Sequence, residues 1–571
     1  MASESAVAQG LTVAVGGVDF WAQPGIIVAE TNTIRPERLA NIRVMQFILR
    51  LSIRALLTRR TSVFYRPSPL ITEGILTLKP LYPQKLARIF WAGLVARWMT
   101  APFLLQWFHP DERQMFEFAH FQAQGRLQPF MEAMEHLRNQ TLPFLFSILH
   151  HGGRAWVILT VTHLLIGTVS WLTMFAWVRS LWNRYPESRR QTIVFGWTLA
   201  LFWIFPLLGS RQLLETTALP FSILLWLALE SDRPVIAGLA AGATAMIRYP
   251  NALFGVGALF RVRSLPRYIA GGLLAVSVFA VMDFRTYGDG WESIFAYFHF
   301  NRPYGPVQAM FGSDSIEVYY RFFEFAFTPW LAPVFLVVAS ACLVRSRRML
   351  VFLTPYLIGH WFTPHREPRF MIPLLPFLFY AIWEECALRP RPQFAALRGG
   401  LSRTALLWQG LLWIHVVINF AWYPWTVWCE WNSAQSLLIR HETLLQSQPA
   451  RLINEVDPMI DALVPYNAQW SGPDCHWRRP VPATLTRQSP LWVISARNPG
   501  DCEALTPRVA GDGGDTGMAG WALRLSRTRW ATIWSCPETA IARICPRGMQ
   551  PPLSDEPTFT TTLRRDSLAG E

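Results

Sequence analysis

Residues 155–178 read AWVILTVTHLLIGTVSWLTMFAWV, an unbroken run without a charged side chain. Wound as an α-helix it is about 36 Å long, more than the roughly 30 Å of a bilayer's hydrocarbon core. Working outward, comparable apolar runs occur at 89–107, 192–208, 213–229, 268–283, 329–344, 349–363, 370–387 and 404–424. Several are shorter than 20 residues, which tilt and flanking aromatic residues absorb. Between 235 and 260 two short apolar pieces are broken at Arg248-Tyr249-Pro250. Proline cannot continue the backbone ladder, so this segment is expected to be a broken or re-entrant pair. The expected fold class is an all-α membrane protein, a multi-pass helical bundle of about 9–11 spans.

Composition agrees. Of 571 residues 51% are apolar and 16% charged, with 27 Trp and 38 Phe. Such aromatic excess suits a lipid solvent, where Trp anchors at the interfaces. The net charge of +14 would suggest a nucleic-acid partner in a soluble protein, but the basic residues cluster in short loops between apolar runs. A nucleic-acid partner is therefore excluded, and membrane lipids are expected instead.

Those clusters orient the chain. They comprise Lys79, Lys85 and Arg88, the Arg179–Arg190 loop, Arg261 to Arg267, Arg345 to Arg348, and Arg389 to Arg403. Placing them all in the cytoplasm puts 108–154, Gly209–Gln212, 284–328, Pro364–Arg369 and the tail on the opposite face. Three regions follow: an N-terminal extension of little fold (1–84), a transmembrane catalytic domain (85–425) and a small non-cytoplasmic C-terminal region (426–571). The extension's apolar stretch from Met45 to Leu57 is too short and too basic to span. Five of the seven cysteines (Cys429, Cys475, Cys502, Cys536 and Cys545) fall in that region, where disulfides are permitted. No C-x-x-C spacing occurs, and no metal or cofactor is expected.

Four constellations on the non-cytoplasmic side carry chemistry. His109-Pro110-Asp111-Glu112 sets two adjacent carboxylates directly after the first span, where a low-dielectric wall shifts proton affinity; proline followed by two acids is equally an ordinary helix start. Arg211 and Glu215 are four apart and suit an ion pair on one helix face. The stretch from Asp283 through Tyr287-Gly288 and Phe300-Asn301 to Tyr320 is rich in glycine and aromatic residues, with few regular periods. It reads as a long loop whose ring faces and amides suit sugar, or as a plain connection. Pro364-His365-Arg366-Glu367-Pro368-Arg369 packs two arginines and a histidine between spans, a set that suits phosphate or lipid headgroups. Arg97 and Arg248 lie inside apolar runs, where a charge is costly unless protein or a cavity receives it, and neither receives a role. His163 and His415 read as packed core residues. Asn139-Gln140-Thr141 is a glycosylation triplet.

Taken together these motifs resemble glycosyltransferase family 22, the dolichyl- or polyprenyl-phosphate-mannose-dependent mannosyltransferases of the GPI-anchor and N-glycan pathways. His109-Pro110-Asp111-Glu112 is similar to that family's first-loop signature, and Arg211 to Glu215 to its Arg-x-x-x-Glu segment, with Leu213-Leu214 where the family has Ser-Asn. Arg248-Tyr249-Pro250-Asn251 resembles its Arg-x-Pro-Thr turn. The Asp283, Tyr287-Gly288, Asn301, Gly305 series agrees in order, and His365 to Phe370 resembles its His-Lys-Glu-x-Arg-Phe block. The likeness covers about residues 88–385.

The resemblance implies a GT-C-type helical bundle in the endoplasmic reticulum membrane, or in a bacterial inner membrane, with its site on the non-cytoplasmic face. It implies inverting transfer of mannose from polyprenyl- or dolichyl-phosphate-mannose to a lipid-linked glycan, without cofactor. Asp111 would be the base, with Glu112 beside it. His365, Arg366 and Arg369 would hold the donor phosphate, and His109, Arg211, Glu215, Asp283, Tyr287 and Asn301 would bind substrate. Transfer of another lipid-linked sugar, and a lipid or sugar transporter, are the alternatives.

Overall fold

The computed structural model describes residues 83–105, 110–123, 125, 137–151, 155–302, 305–311, 315–363, 365–388, 423, 424 and 427, and strands within 451–536. The chain divides into two compact units. The expected N-terminal extension, His109, the run at 404–424 apart from Tyr423 and Pro424, and His415 lie outside the described residues.

The first unit is helical. Its elements are α1 (Gln84–Thr100), α2 (Pro110–Ala123), α3 (Thr141–Ser147), α4 (Ala155–Arg184), α5 (Arg189–Leu201), α6 (Ile204–Leu208), α7 (Leu214–Glu230) and α8 (Pro234–Ile247). They continue with α9 (Ala252–Leu259), α10 (Leu265–Tyr287), α11 (Glu292–Asn301), α12 (Pro306–Phe311), α13 (Glu317–Arg345), α14 (Arg347–Phe362) and α15 (Leu375–Leu388). Four described segments are long and apolar enough to cross a membrane: Ala155–Arg184, Leu265–Tyr287, Glu317–Arg345 and Pro368–Leu388. The multi-pass helical class expected from the sequence is therefore what the structure has.

Breaks fall where the chemistry demands them. Arg248 is extended, Tyr249–Asn251 forms a 3₁₀ turn around Pro250, and the expected broken pair is α8 and α9. In α13, Thr328 (φ 70°) interrupts the helix immediately before Pro329, so its apolar part starts where the hydropathy run starts. That conformation is strained for a β-branched residue, and on its N-terminal side it is anchored by buried Phe325, Ala326 and Phe327. The expected irregular stretch 284–328 is instead largely helical, built from α11, α12 and the start of α13. Its aromatic residues face both ways: Tyr319, Phe322 and Phe323 are buried, whereas Trp291, Phe295 and Phe298 are exposed. Helices of ten and six residues, separated by glycine and proline, are too short for a helical period to stand out.

The core is aromatic. Trp177 stacks on Tyr380 at 5.0 Å and meets Phe195 and Phe377, while Phe254 stacks on Tyr356 at 4.2 Å. The opposite surface is apolar too. Leu273, Leu274, Val278, Val281 and Phe284 form an exposed stripe along α10, a surface that lipid covers and water would not tolerate. Helices α8 and α10 touch backbone to backbone: a Cβ on Gly238 would lie 1.9 Å from the Tyr268 carbonyl oxygen. Small residues permit such approach where lipid leaves helices no hydrophobic drive to associate.

Arg97 receives a structural explanation. Its side chain is fully buried, stacks over Trp171 at 4.7 Å and donates to the carbonyls of Leu199 (3.1 Å) and Ala200 (3.3 Å). These are last-turn carbonyls of α5, left without intrahelical donors because the chain turns extended at Phe202. A cation there also meets the negative end of the helix dipole. Arg97→Met is expected to cost about 3 kcal/mol by orphaning those carbonyls. The check is a lowered thermal midpoint in detergent, with the activity of the surviving folded fraction unchanged.

The loops carrying the basic clusters meet one another. Glu230 at the end of α7 pairs with Arg184 (3.0 Å) and Arg261 (2.6 Å), Arg345 pairs with Glu385 (3.2 Å), and Ser188 donates to the Ala387 carbonyl.

The second unit contains five short strands: β1 (Arg451–Asn454), β2 (Gln469–Ser471), β3 (Leu491–Ser495), β4 (Glu503–Ala504) and β5 (Thr532–Cys536). Their order is β2-β1-β3-β5-β4, with β1 parallel to β2 and β3 and with β5 antiparallel to β3 and β4. The sequence reading assigned no strands to this region. Each has at most five residues, too few for a period of two to stand out. Cys502, directly before β4, is buried and disulfide-bonded.

Candidate active site

Asp111 and Glu112 occupy the first turn of α2, directly after Pro110. The helix-start reading of the motif therefore holds, and the same acids are the hub of a charge cluster. Asp111, only 4% exposed, receives Arg138 Nη2 on Oδ1 and Arg369 Nη1 on Oδ2. Glu112 is fully buried and pairs with Arg211 Nη1 at 3.3 Å.

Arg369 reaches Asp111 from the 3₁₀ turn Pro368–Leu374, which its two prolines keep from closing as an α-helix. The same guanidinium donates through Nε to Glu367 Oε2, and its Nη1 lies 3.6 Å from Glu215 Oε2. Glu367 in turn holds His365 Nε2 at 2.9 Å. Glu215, in the first turn of α7, pairs with Arg248 Nε at 3.0 Å, and the Arg248 guanidinium lies 4.7 Å over the Phe370 ring. Four carboxylates (Asp111, Glu112, Glu215, Glu367) thus meet four arginines (Arg138, Arg211, Arg248, Arg369) in one region. Burying that many charges costs several kcal/mol per ion before pairing, so stability alone does not explain their retention. Such concentrations are found at functional sites.

One sequence expectation is corrected. Glu215 pairs with Arg248 and Arg369, not with Arg211 four residues before it. Helix α7 starts only at Leu214, so Arg211 stands in the preceding turn and turns to Glu112. The remaining candidates sit around the cluster. One donor of Arg366 goes to the Trp361 carbonyl at 2.8 Å. Tyr287 donates to the Arg138 carbonyl at 3.0 Å and accepts from Gln140 Nε2 at 2.9 Å, which fixes the backbone beneath Arg138. Asn301 donates to the Tyr297 carbonyl within its own helix end. Asp283 is fully buried and bonded on both oxygens, by Asn139 Nδ2 (2.7 Å) and by Ser293, whose hydroxyl also meets Tyr249.

The Asp283 network removes the Asn139 triplet from consideration as a glycosylation site. Its Nδ2, the atom a glycan would occupy, is committed to Asp283 and to the Phe279 carbonyl, and the residue is 8% exposed. Protein made in a glycosylating host is expected to show no mass at Asn139 removable by endoglycosidase; a removable glycan there would contradict this geometry.

Three cluster members were absent from the sequence-derived site. Arg138 lies in an irregular stretch outside every motif, with no local signal. Arg248 carried one, a charge inside an apolar run. Glu367 stood within the phosphate-binding block, where its neighbours were chosen for their positive charge.

No protein-family model matches the chain, and no curated protein matches it. Among solved structures, the crystal structure of ArnT from Cupriavidus metallidurans bound to undecaprenyl phosphate aligns with a TM-score of 0.44 at 12% identity, covering 80% of this chain and 99% of that one.

Proposed function

We propose that this membrane protein is an inverting GT-C-type glycosyltransferase that moves mannose from polyprenyl- or dolichyl-phosphate-mannose to a lipid-linked glycan. The observation that carries the reading is Asp111, a buried carboxylate gripped on each oxygen by an arginine. Transfer from a sugar phosphate needs a base for the acceptor hydroxyl and fixed cations for the departing phosphate. Asp111 supplies the first, and Arg369, with His365 and Arg366 in the same block, supplies the second.

In the transfer the acceptor oxygen bonds to the anomeric carbon and the bond from that carbon to the phosphate oxygen breaks. Asp111 takes the hydroxyl proton, and the lipid phosphate leaves with one more negative charge than it had as a diester. The negative charge that Asp111 gives up therefore reappears on the phosphate, and the same arginines serve both states. Preorganised cations in a water-poor site do this without solvent rearrangement. Glu112 holds the helix start through Arg211 and lies beside the base. His109, Asn301 and the exposed aromatic rings of α11 contribute to acceptor recognition. The choice of mannose and the GPI-like acceptor rest on the motif resemblance. The Cys502 disulfide supports a non-cytoplasmic location for the C-terminal unit.

The test is transfer in membranes containing the full chain, offered labelled polyprenyl-phosphate-mannose and a panel of acceptor lipids. An α-linked mannosyl lipid supports the assignment, and transfer from a different polyprenyl-phosphate sugar reassigns the donor. No transfer from any such donor would remove the transferase reading and leave a transporter.

A further inference from the structure

Arg138 belongs to no helix, yet its position is tightly specified. Its carbonyl accepts from Tyr287 and from Gln140 Nε2, while Nη2 is spent on Asp111. Its Nη1 is buried and has no hydrogen-bond partner among the described residues. A guanidinium nitrogen beside a carboxylate, sealed from solvent and holding no acceptor, is an open donor site for an anion. Arg369 grips the other oxygen of the same carboxylate. The two guanidinium groups therefore face one small anion from two directions, as a phosphate would require.

We propose that Arg138 is the second arm of the donor-phosphate clamp, and that the phosphate enters by taking Arg138 and Arg369 over from Asp111. This rests on the lipid-phosphate-sugar transferase reading above. Asp111 is then an inhibited base while the site is empty, because two cations lower its affinity for a proton. Once the phosphate draws both cations away, the carboxylate becomes basic beside the bound donor. Donor must bind before acceptor is activated, and a site holding no donor does not deprotonate a stray hydroxyl. No bond is made or broken in the exchange; two ion pairs change partner.

The exchange makes two predictions of opposite sign on one binding curve. The probe is a polyprenyl monophosphate titrated into the full chain in nanodiscs, followed by tryptophan fluorescence. Arg138→Gln is expected to weaken binding about tenfold or more, with Arg138→Lys intermediate, since one charge-assisted donor pair is lost. Asp111→Asn is expected to tighten it several-fold, because the competing carboxylate is gone. Wild-type binding left unchanged in Arg138→Gln overturns the clamp while leaving the transferase reading intact. Weaker binding in Asp111→Asn would show that the carboxylate organises the arginines and does not compete for them, which overturns the exchange. This second arm leaves Arg138 in place, so it decides the matter even where Arg138→Gln fails to fold. Wild-type protein that binds no polyprenyl phosphate overturns both the inference and the function on which it rests.

Discussion

Asp111→Asn is expected to lower turnover by about a thousandfold if Asp111 is the base proposed above, within the range that a positioned general base contributes. The amide keeps the shape but offers an acceptor oxygen to only one of Arg138 and Arg369, and it cannot take the acceptor proton. The loss belongs in kcat, measured with saturating donor and acceptor in membranes. Asp111→Glu retains the function on a longer arm and is expected to fall between wild type and Asn. Glu112 is a poor substitute, because its carboxylate is fully buried against Arg211. Wild-type kcat in Asp111→Asn would assign the proton to another group and leave Asp111 as an anchor for its arginines.

Arg369→Gln has the second large effect, and a double one. Arg369 is the shared partner of Asp111, Glu215 and Glu367, and its removal leaves the buried Asp111 and Glu215 and the half-buried Glu367 with fewer cations. Breaking a buried pair by deleting one partner costs about 3–5 kcal/mol, because the stranded charge keeps its desolvation penalty. A lower thermal midpoint and loss of transfer are both expected. Arg369→Lys separates them. It restores the charge, hence much of the stability, but not the planar fork that grips Asp111 and Glu367 together, so transfer remains at least tenfold down. Equal recovery of stability and transfer in the lysine variant would show that charge alone matters at this position.

How much of this was written in the sequence differs by scale. Spans were legible because a bilayer imposes a length and a composition on them, and α4 or α10 could hardly be read otherwise. The break at Arg248 was legible because Pro250 forbids continuation. Within the charge cluster, Asp111 and Arg369 stood in motifs that could be read locally, but their ion pairs could not be. Glu215 had Arg211 at the helical spacing, and the late start of α7 cancelled it in favour of two arginines distant in the chain. Arg138 meets Asp111 only because Tyr287 and Gln140 hold its backbone, a tertiary cause without a local trace. The Asp283 network was hidden similarly: Asn139 reads as an acceptor for sugar until Asp283 and Phe279 claim its amide.

The glycine contact between α8 and α10 has a consequence for the site. Gly238 lies ten residues before Arg248, about 15 Å along the helix, and α10 ends at Tyr287, which supports Arg138. With no side chain between them at Gly238, the two backbones cannot slide without collision. The pair works as a fixed ruler: the register chosen deep in the bundle sets how far apart two of the arginines stand at its end. A methyl group added at the contact would therefore be felt as a changed spacing between Arg248 and Arg138, two members of the charge cluster.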